Sequence, residues 1–289
     1  MEVMIQKNNV IFDATLASSL MGCARLTDFR FNYNFISIGG KSPSLEMGSI
    51  VHSILEHFNK AIIDGKGKGN SVAIGMQAGR DYTCDPDKVR NSSPEDIELV
   101  FKTMEEYFDY YRNDSWIPLE VEVVKSRIIY EDDEMRILWK CKIDLMVDTN
   151  QGIYSLDHKT MRQRRDTVSL NNQFMGQCAV LGTKKVIINK IGFQTSLKNT
   201  EKFTRPSVDY NEARLKEWTD DIIPNYARMM LFYTDAGYWP PNYTHCENKF
   251  GMCQFKEVCE APPNLRENEL TRLFMKGEKW DPTNPTKEE

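Results

Sequence analysis

Hydrophobic and polar residues alternate at every second position through "KCKIDLMVD", with Ile143, Leu145 and Val147 on one face and Asp144, Met146 and Asp148 on the other. That period predicts a half-buried β-strand. After the turn-like "TNQG", the run "IYSLDHK" supplies a second strand, so the stretch from Cys141 to Thr160 reads as a β-hairpin. Ahead of it, "LEVEVVKSRIIY" reads as another strand in the same series. The period changes to that of a helix in "SLEMGSIVHSILEHFNKAII", where Leu45, Ile50, Val51, Ile54, Leu55, Phe58 and Ile62 form an apolar stripe closed by the Gly-rich "DGKGKGN". Residues 94–113 predict a second amphipathic helix with Pro94 near its start, and "SLNNQFMGQCAVLGTK" a third. A strand in "KVIINKIGFQTSL" and a helix over 211–234 follow. Short helices are expected in the first forty residues.

This order predicts an α/β fold with a mixed central β-sheet flanked by helices. We expect one domain over 1–265 and a charged, flexible tail over 266–289, whose end "KGEKWDPTNPTKEE" has little to bury.

Composition narrows the function. A net charge of -5 over 289 residues does not suit a generally basic nucleic-acid coat, but leaves room for a local basic groove. No apolar run is long enough to span a bilayer, and "MEVMIQKNNVIFDATL" lacks the features of a signal peptide. The expectation is an intracellular, cytoplasmic protein whose seven cysteines serve as thiols or metal ligands.

A turn centred between Asn150 and Gln151 sets Asp144 opposite Asp157, with Cβ atoms about 5 Å apart. A loop one residue longer pairs Asp144 with His158 instead. Opposed carboxylates repel, so they need a cation or a shared proton, and a divalent metal is the simplest answer. Lys159, two residues beyond Asp157, shares its strand face. For one D-x-K triplet alone, the plain alternative is a solvated hairpin face. On the helix 45–63, His52 and Glu56 project from one side, and an imidazole beside two aspartates favours a site that accepts Mn²⁺ as well as Mg²⁺.

The ordered set "GSIVHSILEHF", "KIDLMVD", "SLDHKT" and "QFMGQ" resembles the motifs of the PD-(D/E)xK nuclease superfamily, in its RecB-like branch. The resemblance implies a restriction-endonuclease-like core and a metal-dependent phosphodiesterase site. In it His52, Asp144, Asp157 and the carbonyl of His158 hold the metal, Lys159 orients or activates the attacking water, and Gln173 supports it or the DNA backbone. One departure stands out: Gln177 occupies the position where that branch usually has tyrosine.

Cys246, Cys253 and Cys259 form a C-x6-C-x5-C run, with Cys23 far upstream. This pattern resembles the iron-sulfur nucleases of the same branch, the AddB-type and CRISPR-associated RecB-like enzymes. It implies a [4Fe-4S] cluster that joins the N- and C-terminal segments. The competing reading is Zn²⁺ held by the three C-terminal cysteines with His245 or Cys23. Arg162, Arg164 and Arg165, directly after Lys159, are candidate DNA phosphate contacts. The aromatics Phe29, Phe31, Tyr33 and Phe35 read as core or cluster-shielding residues.

The resulting expectation is an exonuclease on single-stranded or end-exposed DNA, in recombination, repair or phage DNA processing. No G-x-x-x-x-G-K-[ST] occurs, so any unwinding would come from a helicase or recombinase partner. The alternatives are a non-catalytic DNA-binding scaffold of the same fold and a zinc-binding interaction module.

Overall fold

The computed structural model describes residues 7–162, 169–248 and 251–278. The chain opens with strand β1 (Asn8–Phe12), helix α1 (Ala14–Gly22) and a short α2 (Ala24–Thr27). Asp13 caps α1 by accepting the Leu16 amide at 2.7 Å. Strand β2 (Phe35–Ser37) precedes helices α3 (Pro43–Ile63), α4 (Lys68–Thr83) and α5 (Pro94–Tyr110). Proline occupies the first turn of α3 and α5, where its missing N–H would have no partner anyway. Three long strands follow, β3 (Ile117–Glu131), β4 (Met135–Thr149) and β5 (Gly152–Met161), then α6 (Asn172–Leu181) and β6 (Lys185–Gly192). The rest comprises α7 (Asn199–Lys202), β7 (Phe203–Thr204), β8 (Ser207–Asp209), α8 (Glu212–Glu217) and α9 (Ile223–Ala236). It ends in β9 (Glu247–Asn248), β10 (Gly251–Met252), α10 (Lys256–Glu260), α11 (Arg266–Leu273) and β11 (Phe274–Lys276).

Seven of these strands form one mixed sheet centred on β4. β3 lines one side of β4 from Ile117↔Asp148 to Glu131↔Arg136. The other side is divided: β1 runs parallel to 135–139, and β5 runs antiparallel to 145–149. β6 lies parallel to β5, and β7 and β8 pair antiparallel with β6. Helices cover both faces. On one, Phe12, Ile137, Trp139 and Ile143 pack with Phe174 of α6 and Ile223 of α9; on the other, Ile191 and Phe203 meet Ile50, Ile54 and Met104 from α3 and α5. The expected α/β sheet flanked by helices is the fold observed.

Two segments depart from expectation. Helix α4 begins within the expected loop "DGKGKGN" and continues through residues for which no element was expected. A Cβ at Gly75 would lie 2.6 Å from the Ile54 carbonyl oxygen, and one at Gly79 would lie 2.5 Å from Ile54 Cγ1. These glycines let α4 approach α3 closely. The flexible tail does not start at 266 either: α11 is helical, and β11 pairs antiparallel with β2, with Phe274 stacked on Phe255 at 4.4 Å between ring centroids. The stretch from 279 to 289 lies outside the described residues. No described helix is long and apolar enough to cross a membrane.

Candidate metal centre and cysteine cavity

The hairpin ladder ends at Leu145↔Leu156, in the register that a turn at Asn150 and Gln151 dictates. Just beyond that pair the strands splay around Asp144 and Asp157. Asp144 Oδ2 accepts the backbone N–H of His158 at 2.7 Å. His52, projecting from α3, sets Nδ1 3.8 Å from the same oxygen and Nε2 3.2 Å from the His158 carbonyl oxygen. His158 itself turns inward, where its Nδ1 lies 2.8 Å from Asn189 Nδ2. Burial of the imidazole pushes its pKa well down and keeps it neutral.

Asp157 is fully buried. Gln173 Nε2 donates to its Oδ1 at 2.7 Å, and Lys159 Nζ lies 2.9 Å from its Oδ2. Lys159 in turn donates to Gln173 Oε1 at 3.1 Å, closing a triangle. Gln173 is fixed in place because Asn171, the cap of α6, accepts its backbone N–H at 2.8 Å.

Glu122 was not anticipated from the sequence. Its carboxylate, with ligand atoms of His52 and Asp144, forms a group lying within 4.8 Å of one another. Val121↔Leu145 and Val123↔Ile143 are paired, which sets Glu122 across from Asp144. Its φ of 51° is the left-handed conformation, uncommon for a residue with a side chain. Lys142 Nζ holds Glu122 Oε2 at 2.6 Å. In sequence, "LEVEVV" looks like any edge strand, and no local signal marks Glu122 apart from Glu120.

Charge is concentrated here. Burial, followed by the negative charges of Asp157 and Glu122, raises Asp144 to a pKa of about 6 against the pull of His52 and Lys159. For His52, burial alone would lower the pKa, but Asp144, Glu122 and Asp157 outweigh it and lift it to about 9. For Lys159, burial is likewise outweighed by Asp157 and Asp144, so its pKa rises and the ammonium stays charged. Asp157 Oδ2 is buried, and the Lys159 ammonium meets it at 2.9 Å. Crowded carboxylates beside an imidazole, with ligand atoms of His52, Glu122 and Asp144 within 4.8 Å of one another, suit a divalent cation of the Mg²⁺ or Mn²⁺ kind. The site opens into a cleft of about 1250 Å³ bounded in part by His52, Glu122, Lys142 and Lys159.

The neighbouring candidates fall differently. Arg162 is ion-paired with Asp96 on α5 and donates to Met47 Sδ, so its charge is engaged within the protein. Arg164 and Arg165 lie outside the described residues. Gln177 is buried, with neither Oε1 nor Nε2 hydrogen-bonded, and takes no place at the cleft.

At a separate place, Cys23, Cys246, Cys253 and Cys259 line one cavity together with Leu26, Phe29 and Phe255. All four thiols are free. The Asn242 N–H donates to Cys23 Sγ at 3.2 Å. Among the described residues no three of these sulfurs lie within 4.8 Å of one another. Cys141 and Cys178 are buried elsewhere, and Cys84 is exposed.

A family model for the PD-(D/E)XK nuclease superfamily matches residues 27–260. The chain belongs to this superfamily. Solved structures similar to this PD-(D/E)XK member include a candidate exonuclease from Eubacterium rectale, 14% identical over 89% of this chain and 91% of that one, with a TM-score of 0.48. The alkaline exonuclease LHK-Exo of Laribacter hongkongensis is 11% identical over 64% of this chain and 96% of that one, with a TM-score of 0.31. The same exonuclease in complex with dAMP is 10% identical, over 66% and 98%, at a TM-score of 0.31. No curated protein matches the chain.

Proposed function

We propose that this PD-(D/E)XK member is a divalent-cation-dependent deoxyribonuclease, an exonuclease on single-stranded or end-exposed DNA. One observation carries the reading: His52, Asp144, Asp157, Lys159 and Gln173 come together from α3, β4, β5 and α6, with His52 and Lys159 lining an open cleft. His52, Asp144, Asp157 and the His158 carbonyl would hold the cation. When bound, such a cation supplies charge that polarises a phosphoryl oxygen and acidifies a water. Lys159 would present its ammonium to the phosphate as negative charge builds there. Gln173, donating to Asp157 and accepting from Lys159, keeps both side chains in their rotamers. Gln177, buried and away from the cleft, would not replace the tyrosine usual in the RecB-like branch.

The four cysteines support a [4Fe-4S] cluster, held by Cys23 from the N-terminal segment and by Cys246, Cys253 and Cys259 from the C-terminal one. Its role would be structural, tying these segments beside the nuclease sheet. Arg164 and Arg165 would contribute phosphate contacts, and a helicase or recombinase partner would supply unwound ends to this intracellular, DNA-processing enzyme.

The test is cleavage of end-labelled single- and double-stranded DNA by anaerobically purified protein with Mn²⁺, Mg²⁺ or EDTA, beside Asp157→Ala. Cation-dependent digestion that starts at the ends and is lost in the variant is the expected result. A brown, folded protein that binds DNA and cuts nothing in any metal would replace this reading with that of a scaffold.

A further inference from the structure

Glu122 lies outside the motif set that points to a nuclease, yet its carboxylate groups with His52 and Asp144 at the candidate cation site. Its two carboxylate oxygens face different partners. Oε2 is tied to Lys142 at 2.6 Å, and Oε1 turns toward His52, 3.9 Å from Nδ1. The side chain is only 12% exposed, so bulk water does little to screen that arrangement. The backbone is bent to reach it: with φ at 51°, Glu122 forms no ladder pair although both its neighbours do. A left-handed residue with a side chain persists only where its surroundings over-determine it, and such strain clusters at functional sites.

We infer that Glu122 is an additional ligand of the divalent cation through Oε1, and that Lys142 is a positioning residue that fixes Oε2 and so aims the free oxygen into the site. The inference rests on the cation site of the proposed nuclease. Lys142 sits two residues before Asp144 on the same face of β4, so one strand delivers both a ligand and the group that orients another. An ammonium near a cation also repels it. If orientation dominates, removing Lys142 weakens binding; if repulsion dominates, removing it tightens binding.

Calorimetric titration of the full chain with Mn²⁺ decides, with the signal of bound Mn²⁺ in electron paramagnetic resonance as a second readout. Glu122→Gln should weaken binding by about 10- to 100-fold. Glu122→Gly, which relieves the left-handed strain, should weaken it equally while melting no lower than wild type, separating loss of the ligand from loss of the fold. Lys142→Met should also weaken binding, and Lys142→Arg should restore it. Wild-type affinity in both Glu122 variants, with Asp144→Asn abolishing binding, would overturn the ligand role and leave the nuclease reading intact. Tighter or unchanged binding in Lys142→Met would overturn the positioning role. A wild-type protein that binds no Mn²⁺ would remove the cation site itself, and this inference with it.

Discussion

The cleft and the cysteine cavity each gather residues from distant parts of the chain, but they are built differently. His52, Glu122, Asp144, Asp157, Lys159 and Gln173 are each carried by an element long enough to hold them: the 21-residue α3, the 15-residue β3 and β4, the 10-residue β5 and α6. The cysteine cavity is framed by two-residue strands β9 and β10, the five-residue α10 and a short 3-10 turn at Tyr243–His245. Its own apolar support centres on Phe255, Val258 and Phe274. The difference teaches that long paired elements hold the cleft's geometry, whereas the cysteine region rests on short elements and a small apolar cluster, which leaves it more open to local unfolding.

The sharpest way to break this comparison is Asp157→Asn. Cleavage in single turnover should fall by about 10²- to 10³-fold, while the melting temperature stays level or rises because one of the crowded carboxylates is neutralised. A matching fall in melting would mean that the cleft is no more self-supporting than the cavity. Cys253→Ser should act the other way. Amide exchange should quicken roughly a hundredfold in residues 251–276 and stay unchanged in β4 and β5, as read by mass spectrometry.

Glu46 sharpens the comparison by testing how the cleft helix is anchored. Its buried carboxylate, at the first turn of α3, accepts the backbone N–H groups of Arg90, Asn91 and Ser92 and the Ser92 hydroxyl. Burial would raise its pKa, but these hydrogen bonds prevail and lower it. Glu46→Gln should therefore cost about 2 kcal/mol in denaturant unfolding at neutral pH. Because the folded-state pKa is depressed, this contribution is complete above the ordinary value of 4.5 and disappears as pH falls through the folded value. The variant's deficit should shrink over that acid range; a constant deficit would mean that the carboxylate's charge is irrelevant. The smallest effect is expected at Gln177→Met, which removes a buried amide without partners and should add about 1 kcal/mol.

Much of the cleft was legible because its residues follow strand and helix periods. The hairpin alternation placed Asp144 and Asp157, and the apolar stripe of α3 implied the side on which His52 stands. Glu122 was hidden because a left-handed φ leaves no trace in "LEVEVV", and its meaning depends on a partner strand 22 residues away at Asp144. Helix α4 was missed because glycine breaks local helix propensity yet permits the close approach to Ile54. The segment "RENELTRL" of α11 is too polar to announce itself, and it gains its place from Leu270 and Leu273 against Phe255. Arg162 looked like a free cation in a basic run. Only the fold brings Asp96 to it.

The pairing of β2 with β11 also dictates a calendar. A ribosome delivers Phe35–Ser37 early, but their partner Phe274–Lys276 emerges only after almost everything else has been made. By then β4 and β5 can already have zipped together, since their hairpin is local. Cys23 must wait just as long for Cys259. The cleft is therefore assembled first and the seam between β2 and β11 last, and a chain interrupted before Phe274 would carry a finished cleft beside an open seam.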